Sequence, residues 1–442
     1  MTDKSSFESD VKFSLKWEKT ANEDAIVVTG FTGMAESVVI PETIEGLPVT
    51  EIREGSGVGL YQEGAFFGAA QLREIVLPST LKKIGSDAFL RCSQLASVVF
   101  PEGLEEIGTH AFAGCRSLTT VVLPSTLREL GEAAFSYCRA LKEVTIPGSA
   151  TVVPPCAFEG CEKLRSVVLG EGIRSIGSHA FWRCDSLSDL SLPTTLAEIG
   201  AEAFRECGRL VEIALPEGLA LLDEGAFGYC DSLESIVFPT SLRKIGGGAF
   251  RYCVRLDRVE LVEGLEEIGD GAFGDCDYLK TVVFPATLKK IGDGAFSHCE
   301  LLQDVALPDS LESIGKSAFI CCNALKSIVI PSRVKNLEPR AFAGCHSLGE
   351  ASFKEGVETI AGGTFAGCDA LAKANFPDSL TAIGAGAFRD CYSLATALLA
   401  PQTEVQIDSF SGRTTISRKA KSPNDREEKG GIRWALARLK RR

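Results

Sequence analysis

One aromatic residue sets the frame for the whole chain. Phe66, Phe89, Phe112, Phe135, Phe158, Phe181, Phe204, Phe227, Phe250, Phe273, Phe296, Phe319, Phe342, Phe365 and Phe388 follow one another at intervals of 23 residues with no slip in register. A chain of 442 residues would ordinarily suggest two or three domains. A short fixed period overrides that expectation. Each unit is too small to enclose a core, so it buries its apolar side only by stacking on its neighbours.

The segment 72–92 shows what each unit requires. Leu72, Ile75, Leu77, Leu81, Ile84, Ala88, Phe89 and Cys92 are its recurring apolar positions. Leu72 to Leu77 has the L-x-x-L-x-L spacing of a parallel-strand repeat, which predicts a strand at about 74–77. Pro78, which has no N–H to donate to a ladder, ends it. A second extended piece carries Leu81 and Ile84, and Gly85 then permits a turn that a residue with Cβ would resist. Ser86 or Asp87 caps a single helical turn on which Ala88, Phe89 and Cys92 share a face. Fifteen such coils at about 4.8 Å spacing make a curved rod or arc of about 70 Å.

The pattern L-x-x-V-x-L-P-x-x-L-x-x-I-G-x-x-A-F-x-x-C resembles the BspA-like, or Treponema-type, leucine-rich repeat family, over about residues 31–411. The resemblance implies a right-handed α/β solenoid of mostly short parallel strands with one helical turn per repeat. It also implies protein interaction and, in some members, cell-surface adhesion to host or matrix proteins. Pro154, Asp223 and Glu338 depart from the pattern at the turn glycine, and Ala69 stands where other copies have Cys.

Outside the repeat, residues 1–30 read as a β-hairpin cap, with 11–17 and 25–28 as its strands. Residues 54–62 look like an insertion. Near the other end Thr403 and Gln406 break the apolar pattern, and Phe410 arrives one residue early, as a terminal cap requires. Residues 412–442 are a basic tail.

The formal charge is −13, but 413–442 holds eleven Lys/Arg and three Asp/Glu, so the tail is +8 and the remainder −21. An acidic solenoid repels phosphate, which argues against nucleic acid along it. Within the solenoid the residue after the second Leu alternates in sign: Lys82, Glu105, Arg128, then Arg243, Glu266, Lys289, Glu312, Lys335, Glu358. Such ladders fix register rather than bind a ligand. Fourteen of the sixteen Cys stand three residues after the periodic Phe, Cys156 and Cys321 being the others. They read as buried, reduced side chains. Metal binding is not expected, since there is no C-x-x-C and each coil offers one thiol.

No enzymatic constellation survives. Residues 269–274 fit G-x-G-x-x-G but repeat the common motif, with Phe273 in the core, and lack the strand-to-helix setting. Gly315-Lys316-Ser317 is similar to the end of a phosphate loop without its first Gly. No catalytic residue, cofactor or metal is assigned. The better candidate is a protein ligand on the concave strand face, at the central strand position: Val76, Val99, Val122, Thr145, Val168, Ser191, Ala214, Val237, Glu260, Val283, Ala306, Val329, Ser352, Asn375 and Leu398. An exposed apolar stripe marks a partner site, although valine also suits a parallel ladder. A second candidate is the end of the tail, with Arg433, Trp434, Leu436, Leu439, Lys440, Arg441 and Arg442. Its docking targets would be an anionic membrane, a partner groove or a nuclear import receptor, and a solvated tail is the alternative. A monomeric cytosolic scaffold is expected, because the start is polar and no run of roughly 18 apolar residues occurs. A surface adhesin is the alternative.

Overall fold

The computed structural model describes residues 13–53 and 64–420. The expected insertion at 54–62 and the tail end beyond 420 lie outside the described residues. The chain forms two compact units, 1–279 and 280–442, built on one plan. In each, a β-solenoid stacks parallel strands into two kinds of ladder.

Most coils contribute one longer and one two-residue strand, while the coil around Asp304 keeps only a bridge in place of the longer one. Glu74–Val76 pairs in parallel with Ser97–Val99, Glu74 opposite Ser97 and Val76 opposite Val99. Lys83–Ile84 pairs with Glu106–Ile107. The second unit repeats this with Ser327–Ile330 on Glu350–Phe353 and Asn336–Leu337 on Thr359–Ile360. Alternation along each longer strand buries one residue and exposes the next, which is the period-two geometry of a strand with one face on a core.

The periodic phenylalanines form the spine. Phe204, Phe227 and Phe250 have no exposed surface, and their rings stack at 5.2 and 5.7 Å with planes within 8°. In the second unit Phe319, Phe342 and Phe365 stack at 5.3 Å. In the first unit Phe31, on the second strand of a hairpin, stands 5.1 Å from Phe66 and begins the stack. That hairpin pairs Phe13–Lys19 antiparallel with Ile26–Gly33, and the latter then runs parallel to Leu47–Ile52.

The expected helical turn is absent. Among the described residues there is no α-helix, only a 3-10 turn at Gly148–Ala150. In residues 86–92 the N–H groups of Leu90 and Cys92 bond back three residues, to Asp87 and Phe89. The alternate N–H groups of Asp87, Phe89 and Arg91 instead reach the next coil, at Thr109, Ala111 and Ala113. A helix would have kept every N–H for a carbonyl four residues back. Asp87 and Arg91 also lie in the left-handed region, at φ 58° and 63°, so neither can continue a right-handed helix.

Two further roles differ from the sequence reading. The turn glycine is needed for close approach rather than for an unusual φ. A Cβ built on Gly131 would lie 2.3 Å from the backbone of Gly108 and Thr109 in the preceding coil. The thiols do more than fill space. Cys115 Sγ donates to Phe89 O at 3.3 Å, and Cys92 N donates to that same carbonyl at 3.1 Å. The pattern recurs from coil to coil, as at Cys230 on Phe204 and Cys345 on Phe319. Burial pushes the Cys138 and Cys230 thiols up to about 12, which keeps them protonated donors.

Candidate protein-binding surface

The longer strands place a side chain outward between two buried ones. In the first unit this position carries Val76, Val99, Val122, Thr145, Val168, Ser191, Ala214, Val237 and Glu260, all exposed. Val99 is the most open of these valines, at 79%. The ladder register adds Val39, which lies opposite Val76 and is exposed at 59%. Sequence reading missed Val39 because its repeat is divergent. The signal was there: Val38-Val39-Ile40-Pro41 matches Val98-Val99-Phe100-Pro101 in spacing.

Val39, Val76 and Val99 are therefore consecutive rungs of one ladder, about 4.8 Å apart, and Val122 holds the same position in the next coil, all with side chains in solvent. Beside Val76 and Val99 runs a shallow groove of about 380 Å³, walled by Glu42, Glu74, Ser79 and Ser97. Glu42 is fixed there. Its carboxylate accepts from Ser79 N at 2.9 and 3.0 Å and from Ser79 Oγ at 2.9 Å, and these bonds hold its pKa below the ordinary value. The same brace recurs where Glu171 meets Thr194 and Glu217 meets Thr240. It is thus part of the coil's construction as well as a groove wall.

The second unit presents a different face. Val283, Ala306, Val329 and Leu398 are exposed, but Ser352 is half-buried beside an exposed Asn375. There the polar groups satisfy one another: Asn375 Nδ2 donates to Ser352 Oγ at 2.9 Å and Glu350 Oε1 at 3.0 Å, and Lys373 pairs with Glu350 at 2.7 Å. The apolar stripe is strongest in the first unit, from Val39 to Val168.

The other singled-out residues fall into structural roles. The alternating charges pair across coils, Lys82 with Glu105 at 3.5 Å and Lys335 with Glu358 at 3.4 Å. At Gly315-Lys316-Ser317 the Lys316 N–H is taken by Asp293 Oδ1 at 2.7 Å, so a carboxylate sits where a phosphate would. Phe273 within G-x-G-x-x-G is fully buried. Three histidines lie beside carboxylates of adjacent coils: His110 with Asp87, His179 with Glu202 and His346 with Asp369. Among the described residues no three His, Cys, Asp or Glu converge as a metal site. None of their helices is long and apolar enough to cross a membrane. The tail residues Arg433, Trp434, Leu436, Leu439, Lys440, Arg441 and Arg442 lie outside the described residues.

The family model described as BspA type Leucine rich repeat region matches residues 61–188, 174–300 and 266–395. A leucine-rich repeat protein from Bacteroides ovatus is similar over 94% of this chain and 100% of its own, at 26% identity and TM-score 0.65. A leucine rich cell surface protein from Faecalibacterium prausnitzii is 25% identical over 84% of this chain and 95% of its own, with TM-score 0.49. A search of curated proteins found no match.

Proposed function

Because the chain belongs to the BspA type leucine-rich repeat family, we propose that it is a non-enzymatic scaffold which captures a protein on the exposed face of its longer strands. The observation that carries this reading is the row of solvent-exposed valines at Val39, Val76, Val99 and Val122, with Val168 beyond Thr145. A contiguous apolar row on a folded surface is costly to leave in water, and covering it by a partner yields about 25 cal/mol per Å². The polar rim of Glu74, Ser97 and Thr120 suits a partner with an apolar centre and hydrogen-bonding or basic flanks. Acidic charge on the solenoid disfavours nucleic acid.

The chain acts as a monomer in a reducing compartment. The ladder of protonated thiols, each donating to a phenylalanine carbonyl, supports that location, since oxidation to disulfides removes those donors. The surface-adhesin alternative separates cleanly. Protease added to intact cells leaves an intracellular scaffold whole and degrades an adhesin.

Binding is tested by replacing Val99, Val122 and Val168 together with Lys. The expected result is loss of the partner captured by the wild-type chain, with an unchanged unfolding midpoint. Undiminished capture by the folded variant overturns the proposal.

A further inference from the structure

A cleft of about 530 Å³ opens among the turns of the first unit, lined by Arg91, His110, Gly114, Arg116, Tyr137 and Arg139 together with two serines. Three arginines and no carboxylate line it, on a chain whose charge outside the tail is −21. None of the outward strand valines takes part. The sequence makes the space at one position, two residues after the periodic Phe. Arg91, Gly114 and Tyr137 hold it in successive coils. Backbone bonds fix their register: Arg91 N donates to Ala113 O at 2.7 Å, and Gly114 N to Ser136 O at 2.8 Å. Further along the same row Arg183 meets Glu206 of the next coil, Nε to Oε2 at 3.2 Å. Arg91 is followed instead by a residue with no side chain. The backbone does not demand that glycine. Its φ of 73° belongs to a row in which Arg91, Tyr137 and Glu206 take 63°, 56° and 61°. A Cβ built on Gly114 meets nothing nearer than 3.6 Å.

The gap stays open on its far side as well. The Tyr137 ring lies over Gly160, where a Cβ would come within 2.7 Å of it, and its hydroxyl donates to Glu159 Oε1. The Phe89, Phe112 and Phe135 rings beneath are 4.9 and 5.2 Å apart, so Arg91 and Tyr137 stand two coil steps apart, about 10 Å. The carboxylates that touch the walls are engaged. Asp87 lies 3.6 Å from His110, Glu159 holds Tyr137, and Glu162 pairs with Arg139 at 3.1 Å. The Arg116 guanidinium makes no hydrogen bond or ion pair among the described residues. A cleft lined by one sign of charge gathers the opposite one. A carboxylate is satisfied by one guanidinium fork, whereas a phosphate monoester carries up to two charges and three acceptor oxygens, enough for several. The space exceeds a bare phosphate, and the Tyr137 wall offers a ring something to pack on. A nucleic-acid strand is unsuited, because its flanking phosphates would run onto the acidic surface.

The geometry points to a binding site for a phosphate monoester carried on a single ring, with the phosphate among Arg91, Arg116 and Arg139 and the ring in the Gly114 gap against Tyr137. The test is calorimetric titration of the full chain with phenyl phosphate at about 0.15 M ionic strength, where distant charges are screened. The expected result is saturable binding with Kd below about 1 mM. Arg116→Ala removes an unpaired guanidinium, and Gly114→Glu fills the gap as Glu206 does beside Arg183. Each is expected to weaken binding on the order of tenfold or more. Arg183→Ala, on the same row but outside the cleft, leaves the affinity unchanged. Should Gly114→Glu unsettle its coil, Arg116→Ala decides alone. Absence of saturable binding by the wild type overturns the site, as does unchanged affinity in the Arg116→Ala variant. Benzoate bound as tightly as phenyl phosphate overturns the choice of a phosphate, and inorganic phosphate bound as tightly overturns the seat for a ring.

Discussion

Removing one ring from the middle of the phenylalanine stack should open the coils around it and leave distant coils closed. Phe227 is the cleanest target, because it has no exposed surface and lies between Phe204 at 5.2 Å and Phe250 at 5.7 Å. Truncating a buried Phe to Ala costs about 3–5 kcal/mol, a figure that includes two lost ring pairs of about 0.5–1.5 kcal/mol each. Because coils touch only their neighbours, the loss is local, and a single global midpoint will not capture it. Native-state hydrogen exchange does. A loss of about 4 kcal/mol raises the opening equilibrium on the order of a thousandfold. Phe227→Ala is therefore expected to accelerate exchange of amides near Phe204, Phe227 and Phe250 by that order, while amides near Phe112 hold their rates. Phe410→Ala, at a half-buried ring with one stacked partner, should cost only about 1–2 kcal/mol. Uniform acceleration through the whole first unit, or equal costs at Phe227 and Phe410, would refute nearest-neighbour stacking.

Two other outcomes follow from the coil's chemistry. The unfolded thiol ionises near pH 8.5, whereas burial holds Cys138 and Cys230 to about 12. Above the unfolded value the unfolded chain sheds protons that the folded chain keeps, so stability is whole below about pH 8.5 and falls by about 1.4 kcal/mol per thiol per pH unit above it. The denaturant midpoint should be level from pH 6 to 8 and drop steeply beyond 9, and a level midpoint to pH 11 would contradict buried, protonated thiols. Neighbouring residues in one coil should respond oppositely to substitution. Ala133, at φ 52°, gains about 0.5 kcal/mol on Ala133→Gly from relief of left-handed strain, while Gly131→Ala loses about 1–3 kcal/mol by collision with the preceding backbone. Native-state hydrogen exchange of the amides around Phe135 in both variants reads the signs.

How far the residues alone disclose the molecule depends on what each pattern encodes. The spacing of Phe66 to Phe388 carries the stacking, and the alternation around Val76 carries both the strand and its outward face. The helical turn was misread because Ala88, Phe89 and Cys92, one, three and four apart, share a face equally well in two tight turns. Only the φ of Asp87 and Arg91 separates those cases, and a side-chain pattern does not record it. The donor role of the cysteines was hidden for a related reason. A small buried residue and a small buried donor look alike until the carbonyl of the preceding coil, 26 residues earlier at Phe66 for Cys92, is in place. Val39 escaped because its coil keeps the strand spacing but not the flanking residues that identify the repeat.

The scaffold reading rests on which face meets the partner. A photo-crosslinking residue placed singly at Val99, Val122 or Val168, and for comparison at Lys82, Glu105 or Arg128 beside the two-residue strands, reports that directly in the cells that make the protein. The expected result is one common adduct from all three valine positions and none from the three charged positions. Adducts from the charged positions with none from the valines would contradict it.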